Sequence, residues 1–319
     1  MSRSRRRSAP AAPDTPQPLA AHCPVPAVTP SVATPGSVQS TTGNSGVSSA
    51  LTSLLGPAPT TTPSYLATPA SAQSNPLVRQ TSPAARVPGA QERSVGGVRV
   101  TGNNISPTAM DATERMLNAL TGHREDIRER LAEADTRVIV VSSEEALTDV
   151  PELSHLRNTL TTDGCRHWQD VRGSGGTQVG DEWVVSVPEE NLVETTTGRP
   201  DEYRGDHSVG VHELAHTVLL KGVSSAERRR VDALYAAQRG SDFTDTYAAS
   251  NRDEYFAQST GAFLGLIADE GPEWLQLHDP DMYALLETIY GTPEEALARA
   301  GGPEPEAPEA AAPAAPAVS

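Results

Sequence analysis

The spacing of apolar residues predicts helices over most of the chain beyond about residue 105. Ser106–Pro107 precedes Met110, Leu117 and Leu120 at helical spacing, which predicts a helix with a serine cap and a proline in its first turn. Similar patterns, with capping residues at their starts and glycines at several of their ends, predict further helices at 124–134, 208–222, 224–240, 250–263, 279–291 and from 292 onward.

Two short runs of β-branched residues, 137–141 and 183–187, predict strands. The glycine-rich stretch 172–180 lies just before the second run. It lacks the Gly-Lys-Ser/Thr ending of a phosphate-binding loop and leads into a strand, so it indicates a loop beside a sheet edge. The pattern as a whole is typical of an α+β domain with a small N-terminal sheet and a helical C-terminal half.

Composition divides the chain into three parts. Fifteen of the 27 prolines lie in residues 1–88, and residues 1–100 contain a single aromatic residue, Tyr65. Such a stretch buries too little apolar surface to offset chain entropy. We therefore expect a disordered Pro/Ser/Thr/Ala-rich arm at 1–104, one folded domain at 105–300 and a disordered Pro/Ala/Glu tail at 301–319.

Charge and cysteine content restrict the function classes. Residues 1–100 carry a net charge of +6 and residues 101–319 a net charge of −22, and so acidic a domain argues against nucleic acid as a partner. Cys23 and Cys165 do not form a disulfide framework. With no apolar run of signal-peptide or membrane-span length, we expect a protein that is cytoplasmic as synthesised, export without a standard signal peptide being the alternative.

The most informative motif is HELAH at positions 212–216. Residues four apart share one face of a helix, so His212 and His216 can reach the same metal ion, and Glu213 projects beside them. A polar face exposed to solvent is the alternative interpretation. The apolar neighbours of the motif favour a buried metal site, because burying a glutamate beside two histidines is costly unless the three are used.

The third ligand is not set by the motif itself. Leu219 and Gly222 stand where the HExxHxxGxxH class requires glycine and a third histidine, so that class is excluded. His207 lies off the ligand face and is interpreted as a loop residue. The carboxylates that remain as candidate third ligands are Asp232, Asp242, Asp245 and Glu254.

HELAH followed by the segment TYAASNRDEYFAQ at 246–258 resembles the gluzincins of the anthrax-toxin lethal-factor type, a group that includes secreted Pro-Pro endopeptidases. The resemblance covers roughly residues 165–290. It implies a zincin-like domain with one Zn²⁺ per chain, held by His212, His216 and Glu254, and a tyrosine, Tyr247, whose hydroxyl faces the reacting carbonyl. Without it, Glu254 could be an ordinary carboxylate of a first helical turn and Tyr247 a core residue.

The combined interpretation is a zinc-dependent endopeptidase acting on a protein or peptide substrate. Glu213 and Tyr247 are the expected catalytic residues, and the strand at 183–187 is the expected sheet edge along which an extended substrate binds. One alternative is a non-catalytic zinc-stabilised scaffold whose proline-rich arm recruits partners. A further hypothesis, by analogy alone, is a toxin or effector protease that the arm directs to a secretion or injection apparatus.

Overall fold

A computed structural model describes residues 19–20, 75–81, 85–161, 164, 166–203, 206–238, 243 and 247–301. Contacts within the chain divide it into two units. The first comprises residues 1–23 and 74–319, and the second, 24–73, lies outside the described residues, as does most of the predicted N-terminal arm. The predicted C-terminal tail also lies outside them, apart from Gly301.

The α+β class is confirmed. The strands are β1 Leu19–Ala20, β2 Val87–Val95, β3 Val98–Ile105, β4 Thr136–Val141, β5 Ser174–Val179 and β6 Glu182–Pro188. The helices are α1 Pro107–Thr121, α2 Glu125–Glu133, α3 Glu189–Leu192, α4 Val209–Thr217, α5 Ser225–Gln238, α6 Arg252–Phe263, α7 Pro272–His278, α8 Pro280–Tyr290 and α9 Pro293–Gly301. A short π-helical stretch, Val218–Gly222, continues α4 to the predicted end of that helix.

The strands form one mixed sheet in the order β1-β5-β6-β4-β3-β2. The central strands β3, β4 and β6 run parallel, with Val138 of β4 opposite Val100 on one side and Val185 on the other. The outer strands β2 and β5 each pair antiparallel with their inner neighbour. Parallel strands need crossover connections, and here helices α1 and α2 separate β3 from β4.

The folded domain begins earlier than the predicted boundary at residue 105. Strands β2 and β3 lie within the stretch predicted to be a disordered arm, and Gly96–Gly97 joins them in a hairpin with φ values of +55° and +85°. Two such glycines are the usual signal for a tight two-residue hairpin turn. The composition obscured it, because most of β2 is exposed and polar.

Apolar residues cover both faces of the central strands. Val138 and Val140 of β4 belong to the main core, which packs α1, α4, α6 and α8 against one face of the sheet. Ile139 and Val141 alternate with them and face a smaller cluster of 3₁₀-helical segments on the other side, built around Leu153 and Trp168. A strand buried on both faces is apolar throughout, which explains the continuous run at 137–141.

The substrate edge predicted for 183–187 is wrong. Strand β6 is internal, since it pairs with β4 on one side and with β5 on the other. The glycine-rich stretch before it forms β5 itself. The signal was missed because glycine weakens strand propensity, although glycine in a strand also marks a place where another backbone approaches closely.

A buried ion pair anchors the start of β5. Arg172 donates from Nε to Oε1 of Glu190 at 2.6 Å and from Nη2 to Oε2 at 3.0 Å, and both side chains are buried. The same guanidinium also donates to the backbone carbonyls of Ser142 and Glu145. Within the described residues, no helix combines the length and the apolar character needed to cross a membrane.

We predict that Glu190→Ala lowers the free energy of unfolding by about 3 kcal/mol or more, because it leaves the Arg172 guanidinium buried without its counter-charge. Urea denaturation followed by circular dichroism measures the change. Asp281→Ala is the control, since it removes an exposed ion pair with Arg230 and should cost less than about 1 kcal/mol. Equal losses in the two variants would contradict the prediction.

Candidate metal site

Hydrogen bonds from outside the helix fix the start of α4, which carries HELAH. Ser208 is the N-cap residue, and its hydroxyl accepts from the Val211 amide at 3.4 Å. Asn191 accepts from the Val209 amide at 2.8 Å and donates to the His207 carbonyl at 2.9 Å. Amides in the first turn of a helix have no intrahelical partner, so these contacts stabilise the helix and set where it begins.

Every residue of α4 is buried, because the helix lies between the sheet and α6. Glycines allow the close approach to β5. A Cβ at Gly175 would lie 2.2 Å from the carbonyl oxygen of Glu213, and one at Gly173 would lie 2.5 Å from a methyl carbon of Val209. The Gly176 amide donates to the Thr217 hydroxyl at 2.9 Å and ties the strand to the end of the helix. The glycine-rich stretch therefore allows α4 to pack closely against β5.

The two histidines of the motif meet a carboxylate from α6. The Nε2 atoms of His212 and His216 are 3.0 Å apart, and Oε2 of Glu254 lies 3.0 Å from the first and 3.3 Å from the second. All three side chains are buried. Tetrahedral zinc with bonds of about 2.0–2.1 Å to such ligands requires them to be about 3.3 Å apart. The cluster therefore has the donor atoms and spacing to hold one such ion.

Helix α6 is capped so that Glu254 faces α4. The Asn251 side chain accepts from the amides of Asp253 at 2.9 Å and Glu254 at 3.0 Å. Asn251 is therefore the N-cap residue of this helix, one residue after the predicted helix start at 250. One turn further along, Oε1 of Gln258 lies 3.2 Å from Nδ1 of His212. Gln258 can accept from an Nδ1–H group, which leaves the Nε2 lone pair of the imidazole free for a metal.

Electrostatics within the cluster favour a cation. Burial alone would raise the pKa of Glu254, but the imidazoles of His216 and His212 hold it well below its usual range. Burial alone would lower the pKa of His216, but the adjacent Glu254 carboxylate outweighs it and raises the pKa to about 9. A metal ion that binds here must therefore compete with a proton for the His216 imidazole.

Glu213 lies beside the cluster with a different environment. Its side chain is buried, and among the described residues neither carboxylate oxygen has a hydrogen-bond partner. Burial raises the pKa of Glu213 to about 7, although the neighbouring imidazoles of His212 and His216 oppose the shift. A carboxyl group whose pKa lies near neutrality can accept and release a proton at physiological pH.

Aromatic residues surround His212. The Tyr247 ring lies 6.1 Å from the His212 ring, so the structure places the predicted tyrosine beside the cluster. His207 is outside the ligand set, but its ring lies 5.4 Å from that of His212 and 5.2 Å from Tyr203. Burial raises the pKa of Tyr203, with a further contribution from the Glu213 carboxylate. The sequence interpretation missed the proximity of both residues, because their separation along the chain carries no periodic signal.

The alternative carboxylates do not join the described site. Asp232 lies at the surface of α5, where Oδ1 forms an ion pair with Nη1 of Arg252 at 2.9 Å. Asp242 and Asp245 lie outside the described residues. Glu254 is the carboxylate that the described structure brings to the two histidines.

Comparisons with known proteins find similarity in structure but no match in sequence. No protein-family profile matches the chain, and no curated protein matches it significantly. Among solved structures, the chain is similar to a Pro-Pro endopeptidase from Paenibacillus alvei, with 18% identity and a TM-score of 0.45, over 60% of this chain and 97% of the other. At these values the similarity carries no argument about activity, which has to rest on the site itself.

We predict a graded loss of zinc affinity across three substitutions. Glu254→Ala should abolish tight binding by removing a ligand, and Gln258→Ala should weaken it by about 10–100-fold by releasing the His212 ring. Asp232→Ala should have no effect. Competition with a chromogenic zinc chelator measures each affinity in the full-length chain.

Ser259→Ala is the matched control for Gln258→Ala on the same helix, because the buried Ser259 hydroxyl has no partner among the described residues. Weakened binding in Asp232→Ala, or unchanged binding in Glu254→Ala, would place the third ligand elsewhere.

Proposed function

We propose that this chain is a zinc-dependent endopeptidase. The observation that carries the proposal is a buried three-ligand cluster with a separate buried carboxylate, Glu213, next to it. Three protein ligands leave one tetrahedral position open, as in catalytic zinc sites, whereas structural sites close with a fourth protein ligand. The proposed ligands are His212, His216 and Glu254.

Zinc in such a site would lower the pKa of a water molecule to about 7 and polarise the scissile carbonyl. Glu213 is the proposed general base. Its carboxylate would take the proton of the attacking water and then deliver it to the leaving amine.

Tyr247 is proposed to stabilise the oxyanion. Its ring lies beside His212, on the edge of the proposed ligand cluster. A phenolic hydroxyl can donate a hydrogen bond to the oxygen that becomes negative as the carbonyl is attacked. Gln258 is a positioning residue in this scheme, since it contacts His212 and does not reach the reacting atoms.

The scaffold alternative is disfavoured by Glu213. A purely structural metal site has no use for a buried carboxylate that holds no hydrogen bond to the described residues, and burying it is costly. Association of the arm with a secretion or injection apparatus, and a role as a toxin or effector, stay hypotheses that no described residue addresses. The proposed substrate is a peptide or protein.

We predict that Glu213→Gln keeps stoichiometric zinc but lowers kcat/KM by about 10³-fold or more, because the amide cannot accept the proton. Cleavage of a broad peptide library by the full-length chain measures activity, and elemental analysis measures zinc. Glu287→Gln on the exposed face of α8 is the matched control. Cleavage by Glu213→Gln at the wild-type rate would contradict the proposed mechanism. A wild-type chain that binds zinc but cleaves no peptide would favour the scaffold alternative.

We also predict that Tyr247→Phe lowers kcat by about 100-fold with little change in KM or zinc content, because the hydroxyl acts on the transition state. Steady-state kinetics on the best library peptide measures both constants. Tyr283→Phe is the control, since that tyrosine packs against Phe263 away from the site. Unchanged kcat in Tyr247→Phe would make Tyr247 a packing residue only.

A further inference from the structure

The outer side of β5 is occupied by a segment from the far N-terminal part of the chain. Strand β1 pairs antiparallel with β5, with Leu19 opposite Gly175 and Ala20 opposite Ser174. On its other side β5 pairs with β6. Without β1, β5 would be the free edge of the sheet at this end. The segment belongs to the same compact unit as the folded domain.

The paired positions lie directly at the proposed catalytic site. Gly175, opposite Leu19, packs so closely on α4 that a Cβ there would lie 2.2 Å from the carbonyl oxygen of Glu213 and 3.0 Å from Cβ of His216. A Cβ at Gly173 would lie 2.9 Å from Cγ of Glu213. The backbone of the β1 segment therefore pairs with the part of β5 that contacts the general base and a proposed ligand.

A free strand edge is also what an extended peptide would use to bind here. Its unpaired amides and carbonyls accept an added strand, whose backbone supplies most of the affinity. The β1 segment lies along β5 beside Ser174 and Gly175, and a substrate peptide added to this edge would need the same outward-facing backbone groups, so the two cannot pair with β5 at the same time. Occupancy by one excludes the other.

We propose that the β1 segment, Leu19–Ala20, is a built-in reversible competitor that covers the peptide-binding edge of β5 and must leave before an extended peptide binds. This inference rests on the proposed peptidase function. It assigns to the N-terminal part of the chain a regulatory role at the same site.

The expected inhibition is modest. Within the described residues, two residues of the segment pair with β5, and the residue before them, Pro18, has no amide hydrogen with which to extend the ladder. A free peptide with so few contacts would bind weakly. The segment is tethered to the domain, however, which gives it an effective concentration on the order of mM. We therefore expect removal of the pairing to strengthen peptide binding by about 2–10-fold.

The test compares the full-length chain with Leu19→Pro/Ala20→Pro, which removes both amide donors of the segment. The binding probe is a labelled synthetic peptide of residues 14–25. It should bind the double variant about 2–10-fold more tightly than the wild type. Hydrogen exchange of the β5 amides should be faster in the variant and slow again when the peptide is added. Thr41→Pro/Thr42→Pro is the matched control and should behave as the wild type.

Kinetics then test the competition. On a library peptide, the double variant should show KM lowered by about 2–10-fold and an unchanged kcat. Equal peptide binding and equal exchange in the two chains would overturn the proposal, as would cleavage of wild-type chain near Ala20 seen by intact mass, which would make the segment a substrate. Changed binding and exchange in a chain that cleaves no peptide would support the pairing and refute the peptidase function instead.

Discussion

The structure depends on the burial of α4 between the sheet and α6. This helix carries two histidines and a glutamate into the centre of the domain, where unpaired ionisable groups are costly. The carboxylate of Glu254, on α6, offsets the cost of burying both imidazoles. Its Oε2 atom lies 3.0 Å from Nε2 of His212 and 3.3 Å from Nε2 of His216. The caps at Asn191 and Asn251 set the starts of the two helices, so their facing side chains come into register. A cation at the cluster would complete this balance of charge.

Glu213 does not take part in the charge compensation between Glu254 and the two imidazoles. Its burial without a hydrogen-bond partner among the described residues opposes folding, and a perturbed carboxyl group next to a candidate metal cluster marks a functional site more often than a structural one. The glycines of β5 keep this arrangement compact, because any side chain at Gly173 or Gly175 would displace Glu213 or the backbone of α4. Packing and chemistry thus constrain the same short strand.

The same strand links the site to the rest of the chain. Because β5 needs glycine to pack closely against α4, it offers few side chains of its own, and its backbone would be the main contact surface for the proposed peptide substrate. On one side that backbone is held by β6, and Arg172, bound to Glu190, fixes the point where the strand begins. On the other side it is open to an added strand, and β1 pairs there. Under the proposed function, the peptide substrate and the β1 segment would therefore compete for this one edge.

Periodic and local signals accounted for much of the fold. Helical spacing and capping residues predicted the positions of α1, α4, α6 and α8, and at the start of the helix predicted at 224–240 the side chains of Ser224 and Glu227 form both hydrogen bonds of a capping box. Such features depend on residues that are neighbours in sequence, so they can be predicted from the sequence alone. The hairpin of β2 and β3 was missed because polar residues cover its exposed face, and composition was given more weight than the Gly96–Gly97 turn.

The sequence by itself determined that two histidines and a glutamate share one buried helix, since a spacing of four residues follows from helix geometry. By resemblance it also pointed to Glu254 and Tyr247. Only the tertiary structure decided that Glu254 meets both imidazoles, that Gln258 contacts His212, that β6 is internal and that β1 covers β5. Those facts depend on how separate elements pack and pair across the domain, and no local spacing in the chain encodes that arrangement.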